Sequence, residues 1–156
     1  MRLELVMDWM SRDVVTAVPT LGILDADALM REHNIRRLPV VDNGRLVGIV
    51  TYGDIREARP SAATSLSTWE MNYLLANLNL AEVMTKAPIA ISPAATIGEA
   101  ADLMLTNQIS GLPVVDGDGR LVGIITESDI FHMVVHQWRQ SVEDNAPTPY
   151  THYDGK

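Results

Sequence analysis

Leu112-Pro-Val-Val-Asp-Gly-Asp-Gly-Arg-Leu-Val-Gly-Ile-Ile-Thr-Glu-Ser-Asp129 occurs twice in the chain. The earlier copy is Leu38-Pro-Val-Val-Asp-Asn-Gly-Arg-Leu-Val-Gly-Ile-Val-Thr-Tyr-Gly-Asp54. Leu-Pro-Val-Val-Asp and Arg-Leu-Val-Gly-Ile are identical in both, and each copy closes on Thr-x-x-Asp. From Pro39 to Pro113 the offset is 74 positions, and from Thr51 to Thr126 it is 75. The extra residue falls where Asp-Asn-Gly becomes Asp-Gly-Asp-Gly. A length change confined to this point predicts two strands joined by a turn, because loops accept insertions and ladders do not. Asn43-Gly44 between β-branched runs is a strong hairpin signal. Neither apolar run alternates, which predicts strands covered on both faces.

Working outward, each copy has the same flanks. Val14-Val-Thr-Ala-Val18, closed by Pro19, reads as a strand, and so does Ile89-Ala-Ile-Ser92, closed by Pro93. A helix is expected next. In the second copy Ile97, Ala100, Ala101, Met104 and Leu105 share one helical face, with Thr96 and Glu99 in capping-box spacing. In the first copy the helix is expected from about Gly22 to His33, its apolar face (Ile23, Ala26, Met30) narrowed by Asp27 and Arg31. After Thr-x-x-Asp a further helix is expected, short in the first copy because of Pro60 and running to about Gln140 in the second. Short amphipathic helices, Leu3 to Met10 and Leu80 to Met84, lead into the two copies. Between the copies, Ser67 and Glu70 have capping-box spacing and Trp69, Tyr73, Leu74 and Leu78 have helical spacing, so this connector is expected to dock. The expected organisation is a first repeat over 1–60 with its lead-in helix, a linker with a docked helix over 61–79, a second repeat over 80–140, and a loose polar tail over 141–156.

The bulk composition limits the function. Of the 156 residues 47% are hydrophobic, enough for a packed core, but only 5% are aromatic. A net charge of −8 argues against a nucleic-acid phosphate surface or an anionic membrane as partner, while a small anionic ligand held by local donors is compatible with it. Cysteine is absent, so neither a disulfide framework nor thiol chemistry is available. No apolar run approaches the ~20 residues of a membrane span and none at the start reads as a signal peptide, so a cytoplasmic location is expected.

Each repeat thus reads β-α-β-β-α, a mixed α+β pattern in tandem. It resembles the cystathionine-β-synthase (CBS) domain family, from roughly Val6 to Arg56 and Leu80 to His136, most specifically in Leu-Pro-Val-Val-Asp and in Gly-φ-φ-Thr-x-x-Asp, where φ is apolar. The resemblance implies two repeats packed sheet to sheet with pseudo-two-fold symmetry, two clefts between them, and pairing of modules into a disc-like homodimer. The connector from Thr64 to Glu70 is also similar to one in stand-alone bacterial members.

The motif itself suggests chemistry. A helix that starts right after Thr51 or Thr126 presents free N–H groups to a phosphate, the threonine hydroxyl adds a donor, and Asp54 or Asp129 one turn in can accept both hydroxyls of a ribose. The resemblance implies those roles: threonine on phosphate, aspartate on the ribose of an adenosine nucleotide. It also implies an adenine slot from the first strand and the residues around Leu-Pro, here Val14 to Val18 (with Thr16 and Val18) beside Arg37, Leu38 and Pro39, and Ile89 to Ser92 beside Gly111, Leu112 and Pro113. The competing reading is that Thr-x-x-Asp simply caps a helix. Arg36 and Arg37, matched by Ser110 and Gly111 in the other repeat, are either the cations for a phosphate or solvated surface. The mismatch predicts unequal clefts, one favouring a more charged ligand. His132 and His136 have metal-compatible spacing but no third ligand, so packing or surface histidines and no metal site are expected.

No catalytic constellation is legible, and no P-loop or Gly-x-Ser-x-Gly occurs. The expectation is a non-catalytic regulatory sensor without a catalytic cofactor. It would bind AMP, ADP, ATP or a similar adenosine ligand, form a homodimer, and act on an effector protein in a separate chain. The alternative is a structural dimerisation module with empty clefts.

Overall fold

The computed structural model describes residues 4–61 and 65–142. The described elements run α1 (Val6–Trp9), α2 (Ile23–Glu32), β1 (Arg37–Asp42), β2 (Arg45–Thr51), α3 (Tyr52–Ala58), α4 (Thr68–Ala76), α5 (Leu80–Val83), β3 (Thr85–Lys86), α6 (Ile97–Asn107), β4 (Gly111–Val115), β5 (Leu121–Thr126) and α7 (Glu127–Ser141). The expectation of a loose tail falls on residues 143–156, outside the described residues; Ser141 itself closes α7.

The repeated stretches form two antiparallel hairpins, β1–β2 and β4–β5. Asn43 and Gly44 both take positive φ, as a two-residue hairpin turn with the twist of its strands requires. In the longer turn Asp116 Oδ1 accepts from the N–H groups of Asp118 (2.9 Å) and Arg120 (3.0 Å), so the inserted residue is absorbed locally. Both hairpins carry a bulge at the same place, opposite Val40–Val41 and Val114–Val115. The first strand of each hairpin is buried on both faces, as expected, whereas the second is only partly so: Gly48, Val50, Gly123 and Ile125 are buried and their neighbours half-buried. The hairpins meet at their turns. Leu46 N–H donates to Gly119 O (3.1 Å) and Leu121 N–H to Gly44 O (3.2 Å), a pseudo-two-fold pair of bonds.

The strands expected at Val14–Val18 and Ile89–Ser92 shrink to single parallel bridges, Ala17 with Val40 and Ile91 with Val114. Ala17 N–H donates to Pro39 O (3.0 Å) and Val41 N–H to Ala17 O (2.8 Å), with the same pair at Ile91. The next rung on one side would need an N–H from Pro19 or Pro93, and on the other from Pro39 or Pro113. Proline has none, so the ladder stops after one bridge in both directions.

The lead-in segments exchange repeats. Helix α1 precedes the first repeat in sequence, yet Val6 and Met10 lie in the second repeat's core with Ile97, Met104, Leu112 and Ile125. Leu80 of α5 lies in the first core with Ile23, Met30, Leu38 and Val50. Backbone bonds fix the exchange: Val6 N–H to Ala95 O (2.8 Å) and Ile97 N–H to Glu4 O (2.9 Å), against Ile23 N–H to Leu78 O (3.1 Å) and Leu80 N–H to Leu21 O (2.9 Å). Strand β3 then adds to β2 at Gly48 and Ile49, and Ser11 bridges Ile124 of β5. The glycine in Arg-Leu-Val-Gly-Ile explains the fit. A β-carbon on Gly48 would overlap the sulfur of Met84, and one on Gly123 the sulfur of Met10. Burying Val6 and Leu80 fully contributes roughly 1.5–3 kcal/mol each, so the exchange is a substantial part of each core.

Helix α2 follows its expected face, and α6 does so through Ile97, Ala100 and Met104, whereas Leu105, expected on the same face, is turned to solvent (79% exposed). Asp27, which narrows the α2 face, is buried (6% exposed) and held by Arg31 (2.9 Å) and by Arg59 (2.7 Å) just beyond α3. The boxes at Ser67–Glu70 and Thr96–Glu99 both form. Their hydrogen bonds hold both glutamates below the usual carboxylate range, for Glu70 first through the Ser67 hydroxyl and for Glu99 first through the Thr96 backbone. Helix α4 packs on the first core through Leu75, with Leu78 just beyond its end, while Trp69 and Tyr73 stack on each other (5.7 Å) and stay exposed, Trp69 by 73%.

Gly123→Ala tests the glycine–methionine fit. The added carbon would also lie 3.0 Å from Ser11 O, which is held in the bridge to Ile124, so a loss of about 1–3 kcal/mol is expected in urea denaturation.

Candidate functional site

Where the repeats face each other there is an open cavity of about 400 Å³, within the size range of small-molecule sites. One wall is the start of α7: Thr126, Glu127, Ser128 and Asp129, with Ser110 and Ile124 beside them. The opposite wall comes from the first repeat: Val14 and Val15 ahead of the bridge, and Ile35, Arg36 and Arg37 leading into β1. Ser11 and Asp13, carried across by the exchanged lead-in, form the rim.

Both Thr-x-x-Asp motifs make capping contacts at the start of their helices. Thr51 N–H donates to Asp54 Oδ2 (2.8 Å) and Asp54 N–H to Thr51 Oγ1 (3.1 Å). Thr126 N–H donates to Asp129 Oδ2 (2.8 Å), and its hydroxyl donates to the same oxygen (3.0 Å). Among the described residues no protein donor reaches Oδ1 of either aspartate, so capping and ligand binding are compatible uses of one side chain.

Arg37 is half-buried and lies over Gly111, its counterpart in the other repeat. An arginine on one side fills the space that a glycine leaves on the other. Desolvation lowers the affinity of Arg37 for its proton, with Glu127 opposing and Arg36 adding to the effect; a guanidinium remains a cation regardless. Arg36 is exposed and also lines a shallower recess with Tyr52.

Of the residues expected at a site, Arg36, Arg37, Thr126 and Asp129 converge on the cavity. Thr51 and Asp54 lie outside it. Leu38, Pro39, Leu112 and Pro113 are buried in or against the cores, and Pro39 and Pro113 present only carbonyls, already bonded to Ala17 and Ile91. Thr16 and Val18 flank inward-facing Ala17 and point to solvent, and exposed Ser92 Oγ accepts from Ala94 N–H (3.2 Å). From this segment the cavity is lined further upstream, by Val14 and Val15. Asp13 and Ser11 could not be found from sequence without knowing the exchange. Glu127 and Ser128 are the two middle residues of the motif and were within reach. His136 packs edge-on against Trp9 (5.6 Å) and sits 2.8 Å from the Gln140 amide nitrogen.

The CBS domain family model matches residues 6–61 and 80–136, one match to each repeat. This chain belongs to the CBS domain family. A curated relative, the uncharacterized protein MJ1225 of Methanocaldococcus jannaschii, is 35% identical over 134 residues, which is 81% of this chain and 46% of the relative. The chain spans less than half the length of curated CBS-containing relatives such as this one. The CBS domain pair of protein MJ0100, solved with 5′-methylthioadenosine and S-adenosyl-L-methionine, superposes with a TM-score of 0.71 at 33% identity, covering 87% of this chain and 99% of that one. CBSX2 of Arabidopsis thaliana, solved with AMP, gives 0.74 at 27% identity over 87% of this chain and 99% of that one. No described helix is long and apolar enough to cross a membrane.

Proposed function

We propose that this CBS pair is a non-catalytic regulatory module that binds an adenosine-type ligand in the cleft between Thr126–Asp129 and Val14–Arg37. The observation that carries the reading is the convergence of one repeat's helix start and the other repeat's arginines on a single cavity. The α7 N–H groups, the Thr126 hydroxyl and Arg36–Arg37 suit a phosphate, and Asp129 Oδ1 suits a ribose hydroxyl. Val14, Val15 and Ile35 suit an adenine face. The adenosine ligands of the MJ0100 and CBSX2 structures support the same reading. A ligand touching both repeats favours one relative placement of them, and that differential affinity is what an effector protein would read.

A second reading, a structural dimerisation module, is favoured by one observation: both aspartates accept from the N-cap N–H of their own helices, a structural use that calls for no ligand. The readings share a homodimer. Phe131, Val134, Val135 and Trp138 occupy one exposed face of α7, while Ile130 and Met133 on another face pack into the second core. A second copy of the chain is the proposed cover for that stripe.

At ~100 times its dissociation constant, AMP should add roughly 2.7 kcal/mol of stability in a thermal-shift experiment. In an Asp54→Ala background, Asp129→Ala should abolish the shift and itself cost only about 0.5–2 kcal/mol, the worth of a helix cap. No shift with AMP, ATP or S-adenosylmethionine would leave the structural module. In sedimentation, the chain should run at twice its mass and Trp138→Glu at the monomer mass; a monomeric parent would contradict the homodimer.

A further inference from the structure

The cavity's charges are unevenly matched. Among the described residues three carboxylates line it, Asp13, Glu127 and Asp129, against the two guanidinium groups of Arg36 and Arg37, and no lysine or histidine joins them. Glu127 is the first residue of α7, immediately after the N-cap Thr126, so its side chain flanks the helix start where a phosphate would sit. It is close enough to Arg37 to act on that group's charge. For the helix itself this placement is favourable, because an acid in the first turn meets the positive end of the helix dipole. Once a phosphate occupies that end, the same carboxylate faces an anion.

A phosphate monoester carries about −1.5 to −2 charges at neutral pH, which the two arginines match. A triphosphate brings roughly two further charges, and among the described residues the cavity lining has no further cation to receive them. Instead it presents Glu127 beside the helix start and Asp13 on the rim, in a chain whose net charge is already −8. Resting on the adenosine reading above, we propose that this cleft restricts its ligand to an adenosine derivative with at most one phosphate, and that Glu127, with Asp13, sets the limit. Of the AMP, ADP and ATP expected from sequence, the cleft then selects the first. It also admits uncharged or cationic derivatives such as a thioether nucleoside or its sulfonium, which leave Glu127 and Asp13 unopposed or paired.

The test is calorimetric titration of the full chain with AMP, ADP and ATP in magnesium-free buffer, since Mg²⁺ would mask the extra charge. Repeating it in an Asp54→Ala background isolates the Thr126–Asp129 cleft. AMP should bind at least about tenfold tighter than ATP, the scale of one unfavourable charge contact at a partly exposed site. Glu127→Gln should narrow that ratio by about threefold or more, chiefly by tightening ATP. Asp13→Asn, an exposed position outside any helix, should narrow it in the same direction and serves if Glu127→Gln disturbs α7. ATP binding as tightly as AMP to the parent chain would overturn the proposal, as would an unchanged ratio in both folded variants. Absence of binding by all three nucleotides and by S-adenosylmethionine would overturn the adenosine reading itself, and this limit with it.

Discussion

Everything else in this structure rests on the exchange of lead-in segments between the repeats, with a methionine sulfur seated against a glycine on each side. Met84 lies on Gly48 and Met10 on Gly123, where a β-carbon would displace the methionine and crowd the carbonyl of Thr85 or Ser11. Through that contact α1 joins the second core and α5 the first, so neither core is complete without chain from outside its own repeat. The clefts follow from it. Because Ser11 and Asp13 are carried across with α1, the Thr126–Asp129 cavity has walls from both ends of the sequence. Close packing leaves little room for an intermediate arrangement, so the repeats are joined as one body rather than strung together.

Prolines decide where the sheets end. Pro19 and Pro39 on one side, and Pro93 and Pro113 on the other, each withhold the N–H that a second parallel rung would use. The first strand of each repeat is thereby kept to one bridge, and Val14 and Val15, just upstream, are released to line the cavity instead of pairing. A fuller ladder would have drawn them into the sheet.

What was legible in the sequence was local. The Asn43-Gly44 turn, the capping boxes at Ser67, Thr96, Thr51 and Thr126, and the apolar faces of α2 and α6 all depend on residues within a few positions of one another. What was not legible depended on partners far away. Nothing near Val6 says which repeat buries it. Asp27 read as a gap in an apolar face until Arg59, 32 positions on, was found bonded to it. Leu38 and Leu112 were placed near a ligand by resemblance, whereas the double-sided burial of β1 and β4, itself legible from their unbroken apolar runs, points them into the cores. Divergence between the copies was the more informative signal. Arg36-Arg37 against Ser110-Gly111 marked the side on which the cavity opens, and Gly111 is small because Arg37 lies on it.

The central claim is that ligand recognition is shared between repeats that are remote in sequence, and the backbone amide spectrum of the labelled protein during titration with AMP tests it most directly. The account predicts that resonances of Thr126–Asp129 in one repeat and of Val14, Val15, Arg36 and Arg37 in the other move together, with a single dissociation constant. Perturbations confined to one repeat, or scattered over the surface away from these residues, would contradict it.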